Sequence, residues 1–520
     1  MASGVGFSGL ASGLDTDLLI ESLLTTKQKR VDNVKKTLDN IDEQKTALKD
    51  IKRVLSTLNK TAADLGSVIL GNKDASSTDS DAFTATADSD ASLASYDLEI
   101  SNLAQKSVAT VGNTVSSTSD SIGAGTLTMN LAGGDSFSLT LSTDSTILDL
   151  RDEINEQYGE SLGASVIETS PGQFQLLVST KEMGEDQNIL ASSSMSGFNT
   201  SFLGGGVTNT QAGENSEFTL DGISIVRETN EITDLIEGVT LNLKAETTGV
   251  ESLAVTSNKE EIIKGLEEFA ANYNDALKMI EKQSGSEGVL AGDSSLRSLK
   301  MELQNMISGS IPNISPFNVR DNGEMGYTAI SQVGFKTDQR TGELSVDKEG
   351  LEEALTDNFT EVENLFKGGS LSTNPNVSFI SNRGKGFSGT VVLDTLNNTA
   401  TIDGQLHNLT RDGDVLSFAE GSPYEGMLFM ASVADTHVTL EISQGLGSML
   451  EEKTDAFVSF SGILNDRKGT LDEQEDRLND RLISMKETVA NERTRLTMVF
   501  AKAEQAISQL QGLQNSLNSL

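Results

Sequence analysis

From Val34 onward apolar residues recur at steps of three and four: Val34, Leu38, Ile41, Leu48, Ile51, Leu55, Leu58, Ala62 and Leu65. One face of a helix repeats at that spacing, so the pattern predicts an amphipathic helix that packs along a seam. Lys45 occupies one seat, and a three-residue step from Leu48 to Ile51 shifts the phase. Such a slip marks a local change of packing, and filling the Lys45 seat with Leu is expected to stabilise the stalk. Asp15, ahead of Thr16-Asp17-Leu18-Leu19, is the expected N-cap.

The other end of the chain is more regular. Alternate steps of four and three from Leu478 reach Leu482, Met485, Val489, Glu492, Leu496, Val499, Ala503, Ala506, Leu510, Leu513, Leu517 and Leu520, with Glu492 the single polar seat. A heptad kept this long predicts a helix ordered against a partner helix. After Glu504 the last sixteen residues carry no charge. A solvated helix face carries Lys and Glu, so this segment is expected to pack on several sides within an assembly.

Between the ends the period changes from helical to alternating. Phe83–Ala87, Tyr96–Ile100, Thr126–Leu131, Ser136–Leu141, Gln173–Val178, Phe218–Leu220 and Val239–Leu243 read as short strands between Gly, Asp and Ser turns. A helix interrupts them at Ile147–Tyr158, and two more are expected near Lys259–Lys282 and Ser294–Ser308; residues 377–443 return to strands. The fold class is therefore α+β and multidomain: N- and C-terminal helices pair as a coiled-coil stalk, with nested antiparallel β-rich domains in the middle.

Charge separates the same regions. The chain has 520 residues with 39 Lys+Arg against 77 Asp+Glu, a net charge of −38. Residues 27–60 hold ten bases and five acids, whereas residues 61–450 carry nearly all of the negative excess. Such a surface repels phosphate backbones and anionic lipid, so neither nucleic-acid binding nor membrane insertion is expected. No run of 18 apolar residues occurs. The start of the chain lacks the basic and apolar blocks of a cleavable secretory signal, so export by that route is not expected.

Candidate chemistry is sparse. There is no Cys and no Trp, and the two histidines, His407 and His437, fall in strand-like contexts. Gly4-Val-Gly6-Phe-Ser-Gly9 matches a dinucleotide fingerprint, but the strand that must precede it has no room. Acid pairs such as Asp79/Asp81, Asp88/Asp90 and Asp412/Asp414 lack calcium-loop spacing and read as solvated surface. No catalytic residue, metal ligand or cofactor site is assigned, and the chain is not expected to be an enzyme.

Several motifs carry a resemblance to a known family. Ser12-Gly-Leu-Asp-Thr-Asp-Leu-Leu-Ile-Glu-Ser-Leu23 resembles the N-terminal signature of the bacterial flagellar filament-capping proteins, the hook-associated protein 2 family. Ile100-Ser-Asn-Leu-Ala-Gln105, the stretch Phe218–Leu243, Phe269-Ala-Ala-Asn-Tyr-Asn274, Gly292-Asp-Ser-Ser-Leu-Arg297 and Thr341–Asp347 resemble further family motifs, in the family's order. Leu148–Asn155 followed by Leu162–Val166 looks like a small module of flagellar axial proteins.

The resemblance implies a structural cap at the distal tip of the filament, secreted by the flagellar type III route, that assists flagellin insertion and prevents subunit loss. It implies as partners flagellin, further copies in an annular homo-oligomer, an export chaperone on the C-terminal helix, and hook-filament junction proteins. It implies leg segments at 1–30 with 500–520, flexible when free; a helical stalk at 31–75 with 259–376 and 444–499; a β-rich plate at 76–115 with 212–258; an inserted outer domain at 116–211; and an additional β-rich segment at 377–443. The assembly seam is assigned to Val34, Leu38, Ile41, Leu48, Ile51, Leu55, Leu58, Leu478, Leu482, Met485, Val489, Leu496 and Val499. Filament or chaperone contact is assigned to Leu18, Leu19, Leu23, Leu510, Leu513, Leu517 and Leu520. A second reading is an acidic β-rich surface adhesin that binds host glycans or mucin.

Overall fold

The computed structural model describes residues 13, 15–320, 322–382 and 386–517. The Gly4–Gly9 motif and Leu520 lie outside the described residues. The chain divides into two compact units, residues 1–70 with 263–520 and residues 71–262.

The first unit is built on its two longest helices, Thr16–Asp64 and Ile463–Leu517. Asp15 caps the former, its carboxylate accepting the Leu18 N–H at 3.1 Å. Lys52 reaches Asn465, Lys45 reaches Asp472 and Glu475, and Lys27 reaches Glu492, so the helices run antiparallel. The seam follows the apolar spacing: Ile41, Leu48, Ile51, Leu55 and Leu58 are buried, while Val34 and Leu38 are half-buried. It also extends upstream of the expected start, through Ile20, Leu24 and Val31.

The phase slip has a packing cause. Near Leu48 the helix acquires a second neighbour, the helix Gly445–Val458, which packs along its C-terminal half. Asn59 donates to the Glu451 carbonyl and the Thr454 hydroxyl, both at 2.9 Å. Two neighbours require two apolar rows, and Ala47 and Val54 are buried beside Leu48 and Leu55. Helices Lys259–Ser284, Ser294–Ser308, Lys348–Asp357 and Phe359–Lys367 surround this region. Their core is aromatic, with Phe269, Tyr273, Phe335 and Phe366 fully buried.

The same unit carries an eight-stranded antiparallel sheet between Gly369 and Ser443. Its two edge strands, Gly369–Ser372 and Val377–Asn382, are consecutive in the chain. Five residue steps reach at most about 18 Å, whereas a flat eight-stranded sheet would be about 34 Å wide. The sheet is therefore curled around its core of Val391, Leu416, Phe429 and Leu440. This β-rich segment begins at Gly369, not at residue 377 as expected, because Gly369–Ser372 pairs with Val438–Ser443.

The second unit has two cores. A five-stranded sheet with strands Lys73–Ser77, Glu251–Ser257, Ala94–Asn102, Ser216–Leu220 and Ile223–Arg227, in that order, shares one core with a three-stranded sheet. Phe83, Leu98, Phe218, Leu241 and Leu253 fill it. The hairpin closing Ser216–Arg227 turns on Asp221-Gly222, both at positive φ, which an Asp-Gly pair adopts readily.

The other core belongs to an inserted module. Its edge lies near residue 107, not between 115 and 116 as expected. Strand Val108–Val115 pairs with Gln173–Thr180, and Ala109 and Val111 are buried with Leu127, Leu150 and Leu176. Helix Ile147–Tyr158 starts on a capping box between Thr146 and Asp149 and buries Ile147, Leu150 and Ile154.

Leu55 is fully buried where the N-terminal helix meets two neighbours. Leu55→Ala is expected to destabilise the helical unit by about 2–5 kcal/mol, read as a lower midpoint in thermal unfolding of the intact chain.

Candidate assembly interface

The surface along which the two long helices meet, and the apolar rows they leave open, form the candidate site. In the C-terminal helix Leu482 is buried, and Leu478, Met485, Val489 and Leu496 are half-buried, all toward the partner helix. Both polar seats in the seams meet opposite charge. Lys45 bridges Asp472, at 2.5 Å, and Glu475. Glu492 pairs with Arg495 at 2.8 Å and faces Lys27 at 3.7 Å.

These pairs shift the groups involved. Hydrogen bonds that its ammonium donates to Asp472 and Glu475 raise Lys45 above its ordinary range. Asp472 is held below the usual carboxylate range, first by Lys45 and then by Lys468. Glu492 is lowered by the Arg495 guanidinium. Asp293, raised by burial, is lowered by more than that through Arg467 and the N–H groups of Leu296 and Ser295. It thereby caps helix Ser294–Ser308 and ties it to the C-terminal helix through Arg467, at 2.7 Å.

Lys45 is thus a register device. A bridging cation fits only where its two carboxylates stand opposite, whereas apolar seats tolerate a shift by one heptad. Against the expected gain from Leu at this seat stands the loss of the bridge: Glu475 would be left without Lys45, and Asp472 with Lys468 alone.

Val499 lies outside the seam between the two long helices of one chain. It is 51% exposed, and the half-buried position after Leu496 is Phe500. The antiparallel pairing sets Thr16, the first residue of the partner helix, opposite about residue 502. Close to that end little holds the helix to the heptad period, and a straight helix drifts away from it.

The contact rows open outward. Leu18 and Leu23 are 64% and 59% exposed, and Leu19 is exposed beside them, while Ile20 and Leu24 on the same helix are buried. Leu510 and Leu513 are exposed at 65% and 61% on the continuing helix Ile463–Leu517. The sequence missed Ile20, Leu24 and Val31, whose regular spacing Lys27 interrupts; opposite Glu492 was the available signal.

The remaining candidates have structural surroundings. Asp79 accepts the N–H groups of Asp81 and Ala82, and Asp88 accepts that of Asp90, closing turns. His407 stands in strand Gln405–Asp412 edge-on to Phe418 and Tyr424. Among the described residues no group of three His, Cys, Asp or Glu could hold a metal ion, and no helix is long and apolar enough to cross a membrane.

A family model described as the flagellar hook-associated protein 2 C-terminus matches residues 213–512, more than half of the chain, and one for the N-terminus of the same family matches residues 12–107. The chain belongs to the flagellar hook-associated protein 2 family. The stretch between the two matches is the inserted module. Flagellar hook-associated protein 2 of Escherichia coli K12 is 24% identical over 433 residues, 79% of this chain and 90% of that one. The A-type flagellar hook-associated protein 2 of Pseudomonas aeruginosa is 24% identical over 408 residues, 71% of this chain and 81% of that one. The crystal structure of the D1-D2-D3 domains of the flagellar cap protein FliD from Escherichia coli covers 83% of this chain and 99% of its own, at a TM-score of 0.53 and 21% identity. That likeness establishes the fold. Neither these relatives nor that structure supports the adhesin reading.

A carboxylate with a depressed folded pKa contributes stability above its unfolded value of about 4 and loses it as pH falls through the folded value. The Asp472 contribution is therefore present at pH 6 and lost in stronger acid. In Lys45→Met the thermal midpoint is expected to lie below wild type at pH 6 and to fall less between pH 6 and pH 3. Parallel pH profiles for the two proteins would contradict the register role.

Proposed function

We propose that this chain is a structural cap at the distal tip of the bacterial flagellar filament, outside the cell, where it assists flagellin insertion and prevents subunit loss. The match to the hook-associated protein 2 family over both ends of the chain carries this reading. The work is geometric and not catalytic: the protein binds subunits and orients them.

The helical ends supply the contacts. The outer row Leu18, Leu19 and Leu23, with Leu510 and Leu513, offers apolar side chains that a neighbouring helix would cover. Flagellin is the partner at the filament, and further copies of this chain complete an annular cap. Before assembly an export chaperone holds the C-terminal helix, and the hook-filament junction proteins are neighbours at the start of filament growth. Leu517 belongs to the same row by its spacing. Residues 1–30 and 500–520 are leg segments; Ile20 and Leu24 are already packed in the helix pair, and the stretch after Glu504 is the part that gains order against a partner. The uncharged stretch after Glu504 supports this, since Gln, Asn, Ser and Gly512 give weak helix propensity.

A strain lacking the protein is expected to release unpolymerised flagellin into the medium and to be non-motile. A chain lacking residues 505–520 is expected to fold with its β cores intact by circular dichroism, yet fail to restore filaments in electron micrographs. Normal filaments from the truncated chain would remove the leg role.

A further inference from the structure

The edge of a sheet is a row of main-chain donors and acceptors, and folded proteins cover, charge or break it. Two edges within residues 71–262 follow that rule. Strand Leu162–Ser170 is covered by Asn155, whose side chain accepts the Ala164 N–H at 2.8 Å and donates to the Ala164 carbonyl at 3.0 Å. Strand Lys73–Ser77, at one edge of the five-stranded sheet, carries Lys73 and Asp74 and no large apolar side chain.

The opposite edge of that sheet breaks the rule. In strand Ile223–Arg227, Ile223 is 65% exposed and Val226 is 50% exposed. The tight Asp221-Gly222 turn makes Leu220 and Ile223 a hydrogen-bonded pair. Main-chain groups alternate in direction along an antiparallel strand, so those of Ser224 and Val226 point away from the neighbouring strand Ser216–Leu220. Glu217, opposite Val226, has the same parity, and its carbonyl turns to the Ser101 hydroxyl at 3.0 Å. The Val226 carbonyl accepts from the Arg227 guanidinium at 2.9 Å. The Ser224 N–H, the Ser224 carbonyl and the Val226 N–H have no partner among the described contacts.

Charge selects what can pair there. Asp221 and Glu228 flank the strand, and Glu217 is exposed opposite Val226. The one base of the strand, Arg227, is engaged by Asp234 at 3.1 Å. A second copy laid antiparallel, edge to edge, would set Asp221 beside Glu228, in a region that holds seven Lys or Arg against thirty Asp or Glu. Like charges facing each other across strands are destabilising, so this edge repels itself. The segment that fits is extended, apolar at alternate positions, and carries Lys or Arg in place of acids. A folded protein has spent its main-chain groups on its own elements, whereas a chain that has not folded still has them free.

We infer that strand Ile223–Arg227 receives, as an added strand, an extended basic segment of a flagellin subunit that has not yet folded. This rests on the cap reading and names the state in which the subunit is met.

Fluorescence anisotropy with the full-length chain tests it, with two labelled probes: flagellin unfolded in urea and diluted into the assay, and the peptide KVTVKVTV. Both are expected to bind, and the peptide EVTVEVTV about tenfold more weakly. Val226→Pro removes an edge N–H that no ladder bond uses, and I223K/V226K charges the edge at two exposed positions. Each variant is expected to weaken both probes about tenfold, with unchanged circular dichroism. Binding of folded flagellin is expected to be the same in Val226→Pro and wild type. No binding of unfolded flagellin, unweakened binding in either variant, equal binding of the acidic peptide, or an equal loss for folded flagellin would each overturn the pairing. Self-association of the wild-type chain that Val226→Pro abolishes would assign the edge to a second copy and also overturn it. The cap reading fails separately, if a strain lacking the protein still grows filaments.

Discussion

The pairing of the two terminal helices is the constraint on which the helical unit depends. Residues near 45 meet residues near 472, so every element between them is an excursion that must return to the same seam. The apolar seats supply most of the attraction, and the bridge from Lys45 to Asp472 and Glu475 fixes which seats face each other. A heptad repeat alone permits neighbouring registers; one cation between two carboxylates singles out a single register.

Around that seam the chain alternates between elements with one buried face and elements that curl. The N-terminal helix widens its apolar face where Gly445–Val458 joins it, and this widening is the phase slip seen in its spacing. The eight-stranded sheet brings its first and last strands near each other because they follow one another in the chain. In the second unit, the module with its own core leaves the chain after Gln105, which bridges to Glu214 where the chain returns.

Much of this was legible in the sequence where periodicity is strong. Both long helices, the capping Asp15, helix Ile147–Tyr158 and strands such as Val239–Leu243 follow from spacing and end signals. Less legible were features decided by what a segment meets. Val108–Val115 alternates equally well for either core, so its module could not be assigned from pattern. Gly369–Ser372 has a single large apolar residue and becomes a strand only through its neighbour Val438–Ser443. Val499 satisfies the heptad on paper but lies close to where its partner helix begins. The contact rows at Leu18, Leu23 and Leu510 were visible as apolar residues, and their exposure supplies what spacing could not.

The antiparallel closure also orders events in time. The N-terminal helix is synthesised first, yet its partner begins only at Ile463. Closing a loop of about 400 residues costs about 5 kcal/mol in chain entropy before the seam returns anything, so the β modules, whose contacts are more local, condense ahead of it and shorten the effective loop. By this reckoning the long-helix pair closes after the β modules, and a partner holding the C-terminal helix would delay that closure.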